Sequence, residues 1–88
     1  MTDLQKVITD QIIAERDRQD KKWGAERRLS DHHWACILGE EFGEACQAAN
    51  DHLKSELVLE LIQVAAVAIN WIECLSIAEA ESCSGVPI

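Results

Sequence analysis

Acidic side chains dominate the chemistry this chain can offer. Glu40, Glu41 and Glu44 fall close together, and Glu56, Glu60 and Gln63 follow at helical spacings. With about 100° per residue on a helix, Glu41 and Glu44 point the same way. Trp34, Ile37, Leu38, Ala45, Ala48 and Ala49 define one apolar arc. Glu41 projects inside that arc, Glu44 falls at its border, and Glu40 lies further round, towards solvent. Glu56, Glu60, Gln63, Val67, Asn70 and Cys74 form a second stripe, which puts polar side chains along one edge of an otherwise apolar segment.

Taking a lone carboxylate out of water costs several kcal/mol. Protonation, a basic partner or a metal ion can offset that cost. Basic partners are scarce, since Lys54 is the only one near either stripe. Converging carboxylates suit a hard divalent cation. Mg²⁺ takes oxygen ligands and keeps water or phosphate in its shell. Without His or Cys ligands the set favours Mg²⁺, with Mn²⁺ as the alternative, over zinc. The competing reading is a solvated acidic face, the usual place for an ExxE pair on a helix. His33 and Cys36 have the spacing of a zinc half-site, but no second pair accompanies them. The sequence contains no Glu-x-x-His pair, no Ser-His-Asp arrangement and no glycine-rich phosphate loop.

Three helices are predicted to position these groups. The first spans about 3–22. Thr2 and Gln5 form a capping box, Leu4, Val7, Ile8 and Ile12 make an apolar stripe, and Gly24 is the stop. The second spans about 31–50, with Ser30 as N-cap and Asp31 at the positive end of the dipole. Gly39 and Gly43 lie inside it at a cost of roughly 1 kcal/mol each, and close packing is the expected compensation. The third spans about 55–78, and residues 82–88 read as a tail. The middle of the third helix, Val64 to Ile72, is apolar all round and needs cover on every side. Two short helices cannot supply that cover, so an antiparallel bundle completed by homodimerisation is expected.

The chain has 88 residues, enough for one all-α domain with a modest core. Cys36, Cys46, Cys74 and Cys83 form no CxxC pair and read as buried reduced thiols. The opening residues lack a signal-peptide pattern. The stretch Leu57 to Ile72 is interrupted by Glu60, Gln63 and Asn70, so no membrane span and a cytoplasmic location are expected. A net charge of −8 makes the chain a poor candidate for non-specific binding to long nucleic acid. Basic residues nevertheless concentrate in Arg16, Arg18, Lys21, Lys22, Arg27 and Arg28. With Asp17, Asp20 and Glu26 between them, these form either a solvated helix end or an attractor for a small phosphorylated ligand. Trp23 either stacks on a base or closes the first helix.

The pattern Glu40-Glu41-Phe42-Gly43-Glu44, a turn, then Glu60-Leu61-Ile62-Gln63 resembles the EExxE…ExxD signature of the MazG-like all-α nucleoside triphosphate pyrophosphohydrolases. Arg18 to Gly24 and Glu60 to Val67 are similar to a short MazG-like subset, and the resemblance covers about 13–75. It implies a Mg²⁺-dependent enzyme with a house-cleaning role, converting a (d)NTP to the monophosphate and pyrophosphate as a homodimer or higher oligomer. It further implies Glu41, Glu44 and Glu60 as metal ligands, with Gln63 standing where the family has aspartate. Gln63 is neutral, and Glu56, one turn before Glu60, is placed to supply the missing charge. Glu40 and Glu44 are the candidates for orienting water. Lys54, Asn70, Arg16, Lys21 and Trp23 are the candidate substrate contacts. Two other outcomes stay open: a nucleotide-binding module with weak or no hydrolysis, and a structural helical dimer.

Overall fold

The computed structural model describes residues 1–83, which form α1 (Asp3–Trp23), α2 (Asp31–Asn50) and α3 (Lys54–Cys83). All regular structure in the described residues is helical, so the chain is all-α. Residues 82 and 83 of the expected tail belong to α3, and the remainder of that tail lies outside the described residues.

Local chemistry sets the helix ends. The Thr2 hydroxyl accepts from the Gln5 N–H at 3.1 Å, and the Thr2 N–H donates to the Gln5 side chain at 2.8 Å. Gly24, at φ 92°, ends α1 and donates its N–H to the Asp20 carbonyl. The Ser30 hydroxyl accepts from the His33 N–H at 3.1 Å and starts α2. At the other end of α2, the His52 N–H donates to the Ala49 carbonyl and the Leu53 N–H to the Ala48 carbonyl. These are the two bonds of a Schellman motif. Its left-handed position is normally glycine, but here His52 holds φ 57°. A side chain in that conformation costs about 1 kcal/mol. His52→Gly is therefore expected to raise the unfolding midpoint by a few degrees in a thermal melt, and an unchanged or lower midpoint would count against it.

Helix α3 is the spine. Its 30 residues span about 45 Å at 1.5 Å per residue, close to the 51 Å long axis of the molecule. Both α1 and α2 pack on it but not on each other. The apolar core is small: Trp34, Ala45 and Ala48 from α2, and Ala66 and Val67 from α3. The joint between α1 and α3 is polar. Arg16 is buried and donates from Nε to Glu73 at 2.9 Å and from Nη2 to Asp20 at 2.8 Å. Gln19 is buried beside it, accepting from Arg16 Nη1 at 3.3 Å and donating to Glu15 at 3.2 Å. Arg28 pairs with Glu81, and the Trp71 indole N–H donates to Asp31 at 2.9 Å. These contacts tie the start of α2 and the loop before it to the far half of α3.

Several sequence expectations need correction. The apolar stripe of α1 is not packed within the chain: Leu4, Val7 and Ile8 are exposed, Ile12 is half-buried, and the buried side chains of α1 are Arg16 and Gln19. Cys36 and Cys46 are exposed thiols rather than core residues, and Cys74 is half-buried. The Cys36 sulfur lies 4.0 Å from His32, one residue before the His33 of the expected half-site. No backbone approaches Gly39 or Gly43, and a Cβ added at either meets nothing within 4 Å. Val58, Leu59, Leu61, Ile69, Ile72 and Leu75 of α3 are exposed, as is Phe42 of α2. By length and composition Lys54–Glu81 is apolar enough to cross a membrane, and most of that stretch is uncovered within the chain.

Candidate metal and anion site

The buried edge of α3 is the polar stripe itself. Glu60 and Gln63 are half-buried, Val67 and Asn70 are buried, and Cys74 is half-buried. An acid on this edge meets α2, where Glu41 sits between the half-buried Ile37 and the buried Ala45. Carboxylate oxygens of Glu41, Glu44 and Glu60 all lie within 4.8 Å of one another. Glu41 and Glu60 are half-buried and Glu44 is exposed, so the cluster opens to solvent on one side.

Two of these oxygens are inaccessible and unpartnered: Glu41 Oε2 and Glu60 Oε2 have no hydrogen bond among the described residues. Both carboxyls are pushed above the ordinary 4.5. For Glu41, burial is the largest cause, followed by the negative charges of Glu44, Glu60, Glu15 and Glu40. For Glu60, burial again comes first, then a hydrogen bond that its protonated carboxyl donates to Glu44, and then the charges of Glu44 and Glu56. Raised carboxyls beside like charges mark a site that wants either protons or a cation. The donor set is oxygen only, carries up to three negative charges and includes two buried orphan atoms. It fits Mg²⁺ or Mn²⁺, and the lack of nitrogen or sulfur donors makes it a poor fit for zinc.

The cluster borders a cleft of about 510 Å³ between α1 and α2, floored by α3. Arg18, Gln19, Lys22 and Trp23 line it from α1, Arg27 from the loop, His33, Ile37, Glu40 and Glu41 from α2, and Gln63 and Val67 from α3. The volume lies within the range of small-molecule sites. One wall carries cations and the other carries carboxylates.

Among the sequence candidates, Glu41, Glu44 and Glu60 converge, and Glu40, Glu41, Gln63 and Trp23 line the cleft. Glu56 stays exposed on the turn before Glu60 and acts on it through charge. Arg16 is committed to Asp20 and Glu73. Asn70 is buried at 4% exposure, beyond the lining of the cleft. Lys54 and Lys21 are exposed and also lie outside that lining. Arg18, Gln19 and Lys22 fall in the segment that carries the family resemblance but were not singled out as site residues, and Arg27 had only the collective signal of a basic segment. His33 had the spacing of a zinc half-site and no other signal. Comparison with models of known protein families, with curated proteins and with solved structures finds no match for this chain.

Proposed function

We propose that this chain is a Mg²⁺-dependent, MazG-like nucleoside triphosphate pyrophosphohydrolase, converting a (d)NTP and water to the monophosphate and pyrophosphate. The observation that carries the reading is the triad: three carboxylates within 4.8 Å, two with buried orphan oxygens, beside a cleft with a cationic wall. Glu41, Glu44 and Glu60 would hold Mg²⁺ or Mn²⁺, with the Gln63 amide oxygen on the next turn as a neutral ligand. When bound, the ion neutralises phosphate charge and acidifies water. Glu40 is exposed at the cleft and outside the triad, which suits it to orient a water and accept its proton.

The uncovered apolar faces of α1 and α3 favour a homodimer or higher oligomer. A second copy covers them without taking Glu60, Gln63, Asn70 or Glu73 into lipid, where unpaired polar groups are costly. A cytoplasmic house-cleaning role follows from this reading.

Incubation with Mg²⁺ and a panel of dNTPs tests the proposal. Pyrophosphate release is the expected result, and no release from any nucleotide would overturn it. A nucleotide-binding module is the second reading, favoured by neutral Gln63 beside the triad. Gln63→Asp is expected to tighten Mg²⁺ binding by at least about tenfold, the scale on which even outer partners of a metal act. An equal or weaker affinity by calorimetry would remove Gln63 from the ligand set.

A further inference from the structure

The chain has four arginines, and three of them are paired. Arg16 bonds Asp20 and Glu73, Arg18 bonds Glu15, and Arg28 bonds Glu81. Arg27 has no ion pair among the described residues, although the chain carries a net charge of −8. It is half-buried and lines the cleft. Its guanidinium carbon lies 4.9 Å from the Trp34 ring and 5.7 Å from the Trp23 ring. Lys22 Nζ lies 4.9 Å from the same Trp23 ring. Indole faces attract a guanidinium by its flat side and leave its in-plane N–H donors free. Arg27 Nε is inaccessible and has no hydrogen-bond partner, and Trp34, which is fully buried, has an unpartnered Nε1. Burial first, and then the positive charge of Arg16, lower the pKa of Arg27, against a smaller opposing pull from the Asp20 carboxylate, which is itself bonded to Arg16. Arg27 is thus a cation held against aromatic rings and facing a cavity, with no carboxylate in direct contact with it among the described residues.

We infer that Arg27 is an anion-binding side chain that takes a phosphate of a polyphosphate lying in the cleft. The ring contacts orient the guanidinium before the ligand arrives, and Lys22 adds a second positive charge beside Trp23. A fork of planar donors matches phosphate oxygens, where an ammonium offers a point charge. The identity of the anion rests on the nucleotide reading above, but the binding role does not require hydrolysis.

Calorimetric titration with magnesium tripolyphosphate, together with intrinsic tryptophan fluorescence, tests the assignment in wild type, Arg27→Lys and Arg27→Gln. Wild type is expected to bind with a fluorescence change, because Trp23 and Trp34 flank the guanidinium. Arg27→Gln is expected to lose at least about tenfold in affinity, the scale of a charged hydrogen bond. Arg27→Lys is expected to lose less and to melt near wild type, which separates binding from folding. Equal affinity in all three proteins, or no tripolyphosphate binding by wild type, overturns the role of Arg27. Binding that depends on Arg27 without any pyrophosphate release from dNTPs removes the hydrolase and leaves the anion site. Release that is undiminished in Arg27→Gln does the reverse.

Discussion

Glu41→Gln and Glu60→Gln are each expected to lower pyrophosphate release by at least about 100-fold. A metal ion contributes several kcal/mol to stabilising developing charge, and each 1.36 kcal/mol is about tenfold in rate. Both substitutions keep the size of the side chain and remove its charge, so the packing of α2 on α3 is disturbed little. The loss should be only partly recovered by raising Mg²⁺, because the ligand set itself has changed. Glu40→Gln is expected to act differently, lowering turnover with Mg²⁺ affinity near wild type, since Glu40 lies outside the triad. Steady-state assays across a Mg²⁺ series separate the two patterns. Activity near wild type in either Glu41→Gln or Glu60→Gln would remove the triad from the reaction.

The same substitutions should stabilise the metal-free protein. Glu41 and Glu60 both have carboxyls raised above 4.5 in the folded chain. The folded state therefore holds protons that the unfolded state has released, and stability falls as pH rises between the two. Their favourable contribution is fully present below about pH 4.5 and is lost as pH climbs through the raised values. Glu15 and Glu81 run the other way. Arg18 and Arg28 lower their carboxyls, so their stabilisation is present above the ordinary value and fades in acid. The Glu15 and Glu81 effects are common to wild type and variant, so the difference between the two melting curves isolates the triad. In EDTA at neutral pH, Glu41→Gln should melt several degrees higher than wild type, since about 1 kcal/mol moves the midpoint of a domain this size by about 4–8 °C. At pH 4 the gap should shrink. Saturating Mg²⁺ should then invert the order, because an ion at 100 times its Kd adds about 2.7 kcal/mol to wild type alone. A variant less stable than wild type in EDTA at neutral pH, or a wild type indifferent to Mg²⁺, would mean the triad is not held for a cation.

Much of the framework was legible from local chemistry. Thr2 with Gln5, Ser30 and Gly24 announce helix ends because each satisfies backbone groups that no other residue nearby can satisfy. The meeting of Glu41, Glu44 and Glu60 was legible too, since their spacing placed them on arcs that an α2–α3 pair buries. The end of α3 was harder to read. Residues 79–83 continue the helix, and Arg28 ties Glu81 to the loop before α2, a contact between residues distant in sequence. The apolar stripe of α1 misled for the same reason: Leu4, Val7 and Ile8 have helical spacing but no surface within this chain to meet, while Arg16 and Gln19 dock the helix through polar bonds.

Sequence alone determined the helical class, the capping residues and the set of acids facing inward, because these depend on periodicities of a few residues along one chain. Tertiary structure decided how the basic residues divide: Arg16 locked to Glu73, Arg28 to Glu81, and Arg27 left between two indoles facing the cleft. Arg27 and Arg28 are adjacent in sequence and alike in type. What separates them is which carboxylate or ring lies within a few ångströms after folding, a property of the packing of three helices that no local pattern encodes.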